Sequence, residues 1–131
     1  MKITLPHDLI DVLHAEAASA APQESCGILL GRGNRIDSIQ PTRNVHPAPK
    51  THFEIDPQAL IDAHRNAREG GPEIVGYYHS HPLGPPAPSA TDRVMAAGDG
   101  RIWAIIGLGR VEMWRDTPSG FEAVGYIHAA R

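Results

Sequence analysis

The segment 73–81 restricts the possible folds more than any other part of this chain. Its apolar residues, which include Ile74, Val75, Tyr77 and Tyr78, leave no polar face of the kind an exposed edge strand would carry. The segment is therefore predicted to be a central β-strand. It ends in His79 and His81, and alternate side chains of a strand point to the same face. Both imidazoles are expected to project together from the end of this strand.

A third metal-ligand type follows at a short distance. After the proline-rich loop 82–88, Ser89 opens a predicted helix whose first turn carries Asp92. Two imidazoles and one carboxylate leave the fourth position of a zinc ion open for water, which is the pattern of catalytic rather than structural sites. Zinc bound in this way lowers the pKa of its water to about 7. The segment thus predicts a hydrolytic metal site.

Hydrolysis at such a site also needs a proton carrier and an oxyanion donor. Glu24, at the start of a predicted buried strand, is the candidate general base and acid. Ser89 is the candidate donor of a hydrogen bond to the oxyanion of a tetrahedral intermediate.

Each of these residues also has an explanation that needs no metal. Pairs of histidines spaced as His79 and His81 occur on strands without binding metal. The segment from Ser89 to Asp92 resembles a capping box, in which the serine caps a helix and the acid reaches back to it. Glu24 taken alone would be an ordinary solvated residue.

Several remaining polar and small residues have simple structural interpretations. The sole cysteine, Cys26, is expected to pack as a small apolar side chain. Close approach of strands explains Gly27 and Gly76. The other histidines lack ligand spacing and are expected at the surface or hydrogen-bonded in the core; they are His7, His14, His46, His52, His64 and His128.

The order of predicted elements indicates an α+β fold with a mixed, mostly antiparallel sheet flanked by about three helices. At 131 residues the chain is expected to form a single domain, residues 1–131. Predicted strands cover 3–5, 24–31, 35–42, 52–55, 73–81, 102–107, 110–115 and 121–127, and predicted helices cover 7–20, 57–69 and 89–98.

Composition excludes several classes of function. Twelve lysines and arginines against fifteen acids give a net charge of −3, which argues against nucleic-acid binding. No run approaches the ~20 apolar residues of a membrane span. One cysteine allows no intrachain disulfide, so a cytoplasmic protein is expected. Nothing in the sequence requires an oligomer.

The combined motif resembles the JAMM (MPN+, JAB1-like) zinc metalloproteases. Members carry an upstream glutamate, then His-x-His-Pro, seven intervening residues, a serine, and an aspartate three residues later. Here these are Glu24, the segment 79–82, Ser89 and Asp92, and the resemblance extends over nearly the whole chain. It implies a cytidine-deaminase-like α/β/α core and one Zn²⁺ per chain held by His79, His81 and Asp92. Glu24 would then be the base and acid, and Ser89 the oxyanion donor.

The resemblance also implies a substrate. Family members hydrolyse the amide bond after the C-terminal Gly-Gly of ubiquitin or a ubiquitin-like protein. Only seven residues separate His81 from Ser89, without the insertions that grip ubiquitin chains. The chain is therefore similar to the compact, stand-alone prokaryotic members, whose partners are small β-grasp ubiquitin-like or sulfur-carrier proteins.

Two alternatives remain open. The same three ligands form the 2-His-1-carboxylate set of non-haem iron enzymes, although that chemistry gives Glu24 and Ser89 no role. A non-catalytic MPN-type module that only binds a partner is the other.

Overall fold

The computed structural model describes residues 2–129. Its elements follow one another in the order β1(Ile3–Leu5), α1(Leu9–Ala20), β2(Cys26–Arg32), β3(Arg35–Thr42), α2(Pro57–Arg68), β4(Glu73–Ser80), α3(Ala90–Met95), β5(Ile102–Gly107), β6(Arg110–Thr117), β7(Gly120–Val124) and β8(Tyr126–His128).

Over the described residues the strands form one mixed sheet in the order β7-β6-β5-β4-β2-β3-β1-β8. Strand β4 lies between β2 and β5, well inside the sheet, as its apolar sequence predicts. Neighbouring strands are parallel at β4–β5, β1–β3 and β1–β8, and antiparallel at the remaining pairs. The predicted α+β fold with a mixed, mostly antiparallel sheet and three helices is confirmed.

The two outermost strands are consecutive in the chain. β7 ends at Val124 and β8 begins at Tyr126, yet they pair with β6 and β1 at opposite edges of the sheet. The sheet therefore curls until its edges meet at Gly125, whose carbonyl accepts a hydrogen bond of 2.9 Å from the Ile3 N–H. The single strand predicted over 121–127 is wrong, because the chain changes edges at Gly125.

Helices cover both faces of this curled sheet. Leu9 and Leu13 of α1 are buried in the larger apolar core, which draws on β1 to β6. α2 packs on the opposite face through Ala63 and Leu60, against Ile28 and Ile74 among others. Burial of both sheet faces explains why β5 is apolar along its whole length and β4 is apolar from Ile74 to Tyr78.

The start of α2 is confirmed where its sequence signals place it. The Asp56 side chain accepts a hydrogen bond of 3.1 Å from the Gln58 N–H, and Pro57 occupies the first helical position. An aspartate cap followed by proline satisfies a free N–H at no cost in backbone hydrogen bonds.

Two further predicted elements differ from the structure. Residues 52–55 form no strand; Ile55 makes an isolated antiparallel bridge with Asn44 instead. Helix α3 ends at Met95 rather than near residue 98, because the Asp116 carboxylate accepts hydrogen bonds from the Ala97 and Gly98 N–H groups. The buried Asp116 of β6 thus provides hydrogen bonds that replace those of a continuing α3.

Glycines mark the closest approaches between strands, as expected. A Cβ atom at Gly76 would collide with the backbone carbonyl of Ile102 on β5. A Cβ at Gly27 would collide with the Tyr78 ring. In the part of the chain that the structure describes, no helix combines the length and apolarity needed to cross a membrane.

Candidate metal centre

The end of β4 brings two histidines together at the centre of the molecule. His79 is fully buried, and His81 follows one residue beyond Ser80, with its N–H bonded to the Ile106 carbonyl at 2.7 Å. The Nε2 atoms of His79 and His81 lie 3.1 Å apart. Two imidazole nitrogens therefore converge, as strand alternation predicts.

Asp92 reaches the same point from the first turn of α3. Its Oδ2 atom lies 3.1 Å from the Nε2 atom of His79 and 3.1 Å from the Nε2 atom of His81. The Asp92 side chain is buried, with 3% of the residue exposed. A strand end and the helix after it thus bring three potential ligand atoms into mutual contact.

These three atoms fit a metal ion on their own geometry. Their separations of 3.1 Å approach the edge of about 3.3 Å expected for a tetrahedral zinc site with bonds of about 2.0 Å. With both imidazoles neutral, the His81 Nδ1–H donates to the Pro85 carbonyl at 2.8 Å, which leaves its Nε2 as a bare lone pair. A proton on the Nε2 atom of His79 would then have to be shared between two acceptors, the Nε2 atom of His81 and the Oδ2 atom of Asp92, whereas a cation can bind all three atoms.

The capping box and the ligand cluster occur together. The Ser89 hydroxyl oxygen accepts a hydrogen bond of 3.0 Å from the Asp92 N–H, and the Ser89 N–H donates to Asp92 Oδ2 at 2.9 Å. This reciprocal cap turns the Asp92 carboxylate toward the histidines. The structural explanation of the motif therefore supplies the orientation that a ligand would need.

Glu24 lies beside the cluster and is not the solvated residue that it would be in isolation. Only 6% of it is exposed, and its Oε1 atom has no hydrogen-bond partner among residues 2–129. One carboxylate oxygen of Glu24 and one nitrogen each of His79 and His81 lie within 4.8 Å of one another. This trio is an alternative ligand group, in which Glu24 replaces Asp92.

The two carboxylates differ in their electrostatics. Burial raises the pKa of Glu24 to about 7, with nearby His81 opposing the rise and Asp92 adding to it. Burial alone would also raise the pKa of Asp92, but its contacts with His79 and His81 and the hydrogen bond from the Ser89 N–H hold the pKa well below its usual range. Asp92 is thus a permanent anion, whereas Glu24 takes up or releases a proton readily near neutral pH.

The two histidines differ as well. Complete burial lowers the pKa of His79, against hydrogen bonding to Asp92, so its imidazole is neutral. Burial would lower the pKa of His81 too, but hydrogen bonds to Asp92 and to the Pro85 carbonyl outweigh it and raise the value. The hydrogen bond from Nδ1 to Pro85 directs the Nε2 atom of His81 at the cluster.

Sequence reasoning missed two aromatic neighbours of His79. Phe53 stacks on its ring with centroids 4.2 Å apart, and Trp103 meets it edge-on at 5.5 Å. The Nδ1 atom of His79 has no hydrogen-bond partner in the described part of the chain, so aromatic packing fixes this ring. No spacing signal links these residues, because they come from a loop and from β5.

Asn44 was missed too, and it holds the loop beside Glu24. Its side-chain amide donates to the carbonyls of Glu24 and His52 at 3.1 and 2.9 Å. The Glu24 N–H in turn donates to the Pro49 carbonyl at 2.8 Å. Glu24 is therefore positioned by its backbone, which leaves its carboxylate free to face the histidines.

The cluster opens into a cleft of about 900 Å³. Glu24, His81 and Ser89 line it together with the end of α1 and the proline-rich loop. The remaining walls are mostly small or apolar side chains, and the Ser89 hydroxyl proton is not needed for the helix cap. The cleft therefore brings three of the residues singled out by the sequence motif, Glu24, His81 and Ser89, onto one surface.

Comparisons with known proteins agree with this geometry. The chain is 36% identical over 91 residues to a desampylase of Haloferax volcanii, a match covering 68% of the chain and 66% of that protein. It is 36% identical over 88 residues to a probable TtuB-protein conjugate cleaving protease of Thermus thermophilus, covering 67% of the chain and 59% of that protein. The chain thus spans less than two thirds of the length of either relative.

Solved structures share the fold. The solution structure of a Desulfitobacterium hafniense protein, 29% identical, superposes with a TM-score of 0.85 over 98% of the chain and 94% of that protein. A JAB1/MPN domain protein of Archaeoglobus fulgidus, 16% identical, superposes with a TM-score of 0.62 over 96% and 97% of the two chains. The family model of prokaryotic homologues of the JAB domain matches residues 6–117. The chain therefore belongs to the Prok-JAB family, the compact prokaryotic branch of the JAMM/MPN proteins that its motif resembles.

Proposed function

We propose that this protein is a zinc-dependent peptidase or isopeptidase. Its reaction is hydrolysis of the amide bond after the C-terminal Gly-Gly of a small ubiquitin-like or sulfur-carrier protein. One observation carries the proposal: ligand atoms of His79, His81 and Asp92 converge at 3.1 Å beside a buried, unpartnered oxygen of Glu24. The names of the two relatives, a desampylase and a TtuB-conjugate protease, support the class of substrate.

His79, His81 and Asp92 would hold the metal, with Glu24 left outside the ligand set. Asp92 Oδ2 touches both Nε2 atoms at once and is oriented by the Ser89 N–H. When bound, zinc supplies Lewis acidity and a water whose pKa is lowered to about 7. The aromatic rings around His79 exclude solvent from the ligand side that faces the core.

Glu24 would carry the proton. Its fixed backbone and unpartnered Oε1 suit a carboxylate that accepts a proton from the attacking water and returns it to the leaving amine. The leaving group is either a lysine side chain or a main-chain amine, since both depart as amines from the same tetrahedral intermediate.

Ser89 would stabilise that intermediate. Its oxygen accepts the Asp92 N–H in the helix cap, and its hydroxyl proton stays available to the oxyanion. One such donor contributes about 10²–10³ in rate.

The cleft suits an extended tail without side chains. Its walls carry alanines and prolines, and it is open enough for a tail attached to a folded protein. A Gly-Gly segment brings no side chains of its own to this cleft, so its main chain can approach the walls formed by the proline-rich loop and the residues that follow α1. The short connection from His81 to Ser89 offers no insertion for reading one ubiquitin-chain linkage.

The test is cleavage by metal-loaded protein, with metal analysis of the same sample. Substrates are β-grasp proteins ending in Gly-Gly, joined to a reporter either in line or through a lysine side chain. We expect one zinc per chain, cleavage directly after Gly-Gly by product mass, and a rate reduced 10²–10⁴-fold in Glu24→Gln. Full activity of a zinc-loaded Glu24→Gln variant, or iron as the bound metal, would overturn the mechanism.

A further inference from the structure

Two leucines are exposed at the rim of the cleft. Leu83 is 99% exposed and Leu108 is 67% exposed. Leu83 lines the cleft itself, and Leu108 lines an adjoining pocket of about 230 Å³. Both cavities share His81 and Pro82. The two leucines therefore border the same ligand histidine from different sides.

A backbone contact brings together the two segments that carry the leucines. A Cβ atom at Gly107 would collide with the Gly84 carbonyl, so the proline-rich loop rests directly on the end of β5. Leu83 precedes one of these glycines and Leu108 follows the other. We call these two side chains the leucine pair.

The loop that carries Leu83 is rigid. Four of the seven residues from 82 to 88 are prolines. The Pro85 carbonyl accepts from His81, and the Pro86 carbonyl accepts a hydrogen bond of 3.0 Å from the Trp114 indole N–H. An apolar side chain held out on a rigid loop loses little freedom when it is covered by a partner.

Leu108 occupies an unfavourable backbone position. It and Gly109 form the two-residue turn between β5 and β6, with φ values of +50° and +71°. Turns with positive φ at both positions favour Asn-Gly, and leucine is disfavoured there. Because Leu108 is also exposed, neither turn geometry nor core packing explains it. Contact between the exposed Leu108 side chain and another molecule would explain a leucine at this position.

Two exposed cations lie on segments next to the leucine pair. Arg110 pairs with Gly107 across the hairpin, and opposed residues of antiparallel strands point to the same face, here the face that meets the proline-rich loop. Arg110 is exposed, and so is Lys50, which lines the cleft. Neither forms an ion pair within residues 2–129. The rim thus presents two cations without an ion-pair partner, in a chain of net charge −3.

We propose that the leucine pair, flanked by Lys50 and Arg110, docks the folded body of the modifier protein whose tail occupies the cleft. The matching surface is an apolar patch edged by carboxylates. This inference rests on the proposed function. A second copy of this chain fits poorly, because a symmetric contact would place the same cations against each other. Conjugated target proteins vary in surface, whereas the modifier is the partner common to every conjugate.

The test compares a folded substrate with its tail alone. The probes are ubiquitin and an acidic bacterial sulfur-carrier protein, each with a fluorogenic amide after Gly-Gly, and a six-residue peptide amide of each tail. Leu108→Asn is the key variant because Asn-Gly suits the turn, so its melting temperature is expected to equal or exceed that of the wild type. Ile61→Asn, at a residue on α2 that is 51% exposed, is the matched control.

We expect Leu108→Asn to lower kcat/KM for at least one folded substrate about tenfold, through KM, with peptide cleavage changed less than about twofold. Arg110→Glu should likewise lower kcat/KM for the folded substrate while leaving peptide cleavage nearly unchanged. At high salt the wild type should lose its preference for the folded substrate. The control should match the wild type. Equal losses on folded substrate and peptide, or no loss on either folded probe, would overturn the docking surface.

Direct binding separates this inference from the proposed function. Affinity of zinc-loaded Glu24→Gln for the two unlabelled proteins should fall about tenfold when Leu108→Asn is added. This affinity measurement tests the proposed docking surface even if the wild type cleaves none of the probes. Unchanged affinity would overturn the proposed docking surface. So would the finding that the wild type is a dimer and that Leu108→Asn dissociates it, because the leucine pair would then contact a second copy of the chain.

Discussion

Stabilisation by zinc provides the sharpest test of which carboxylate is the ligand. Two groups share His79 and His81: one is completed by Asp92, with contacts of 3.1 Å, and the other by Glu24, with ligand atoms within 4.8 Å. A metal that binds only the folded protein stabilises it by RT ln(1 + [Zn]/Kd). Substitutions at the two acids therefore give opposite results under the two assignments.

The expected size follows from this relation. At free zinc 1,000-fold above Kd, the wild type gains about 4.1 kcal/mol in free energy of unfolding. Loss of an outer-sphere partner alone weakens a metal site about 10–100-fold, and loss of a ligand is expected to cost at least about 100-fold. In Asp92→Ala the same zinc concentration then raises the free energy of unfolding by only about 1.4 kcal/mol. For a chain of this length the increments correspond to roughly 15 °C and roughly 5 °C in melting temperature.

The assay is thermal unfolding in zinc-buffered solution and after chelation. Metal-free Asp92→Ala also loses the hydrogen bond from the Ser89 N–H, about 1 kcal/mol, so only the zinc-dependent increment is compared. Glu24→Gln should keep the wild-type increment within about 1 kcal/mol. If Glu24→Gln loses the increment and Asp92→Ala retains it, the ligand set is the alternative one. If zinc leaves the melting temperature of the wild type unchanged, the proposed zinc site is refuted under either assignment.

Three further predictions concern single residues. Burial raises the pKa of Tyr78 far above its usual value, with the Glu16 carboxylate adding to the rise. The unfolded chain releases this phenolic proton near pH 10 and the folded chain does not, so stability falls as pH rises above 10. In urea titrations above pH 10, the free energy of unfolding of Tyr78→Phe should fall by about 1.4 kcal/mol less per pH unit than that of the wild type. Parallel plots of this free energy against pH for the two proteins would contradict the prediction. Gly76→Ala forces a Cβ against the Ile102 carbonyl and should cost more than about 3 kcal/mol by chemical denaturation, or abolish folding; a mild effect would show that β4 and β5 can separate. Ser89→Ala should lower stability by about 1 kcal/mol and kcat by about 10²–10³, whereas Ser89→Thr, which keeps the hydroxyl, should retain both. Loss of stability alone in Ser89→Ala would leave the serine as a cap only.

The sequence predicted the candidate site because its residues are close in the chain. His79, His81 and Asp92 belong to one strand–loop–helix unit, and the alternation of a strand and the first turn of a helix fix their directions. Strong local signals such as Asp56-Pro57 likewise placed the helix start. What failed were elements decided by distant partners: the end of α3 depends on Asp116, and the break at Gly125 depends on β1.

The sequence by itself determined the α+β class and the central position of β4, and it predicted the candidate metal ligands, because periodicity and short spacing encode these features directly. Only the tertiary structure decided that Glu24 is buried and faces the histidines. It does so because β2 pairs antiparallel to β4, with Cys26 opposite His79, so a residue 55 positions upstream is carried to the same end of the sheet. The stacking of Phe53 on His79 and the contact of the proline-rich loop at Gly84 with Gly107 arise in the same way. Pairing between distant segments follows the packing of the whole chain, and no local pattern records it.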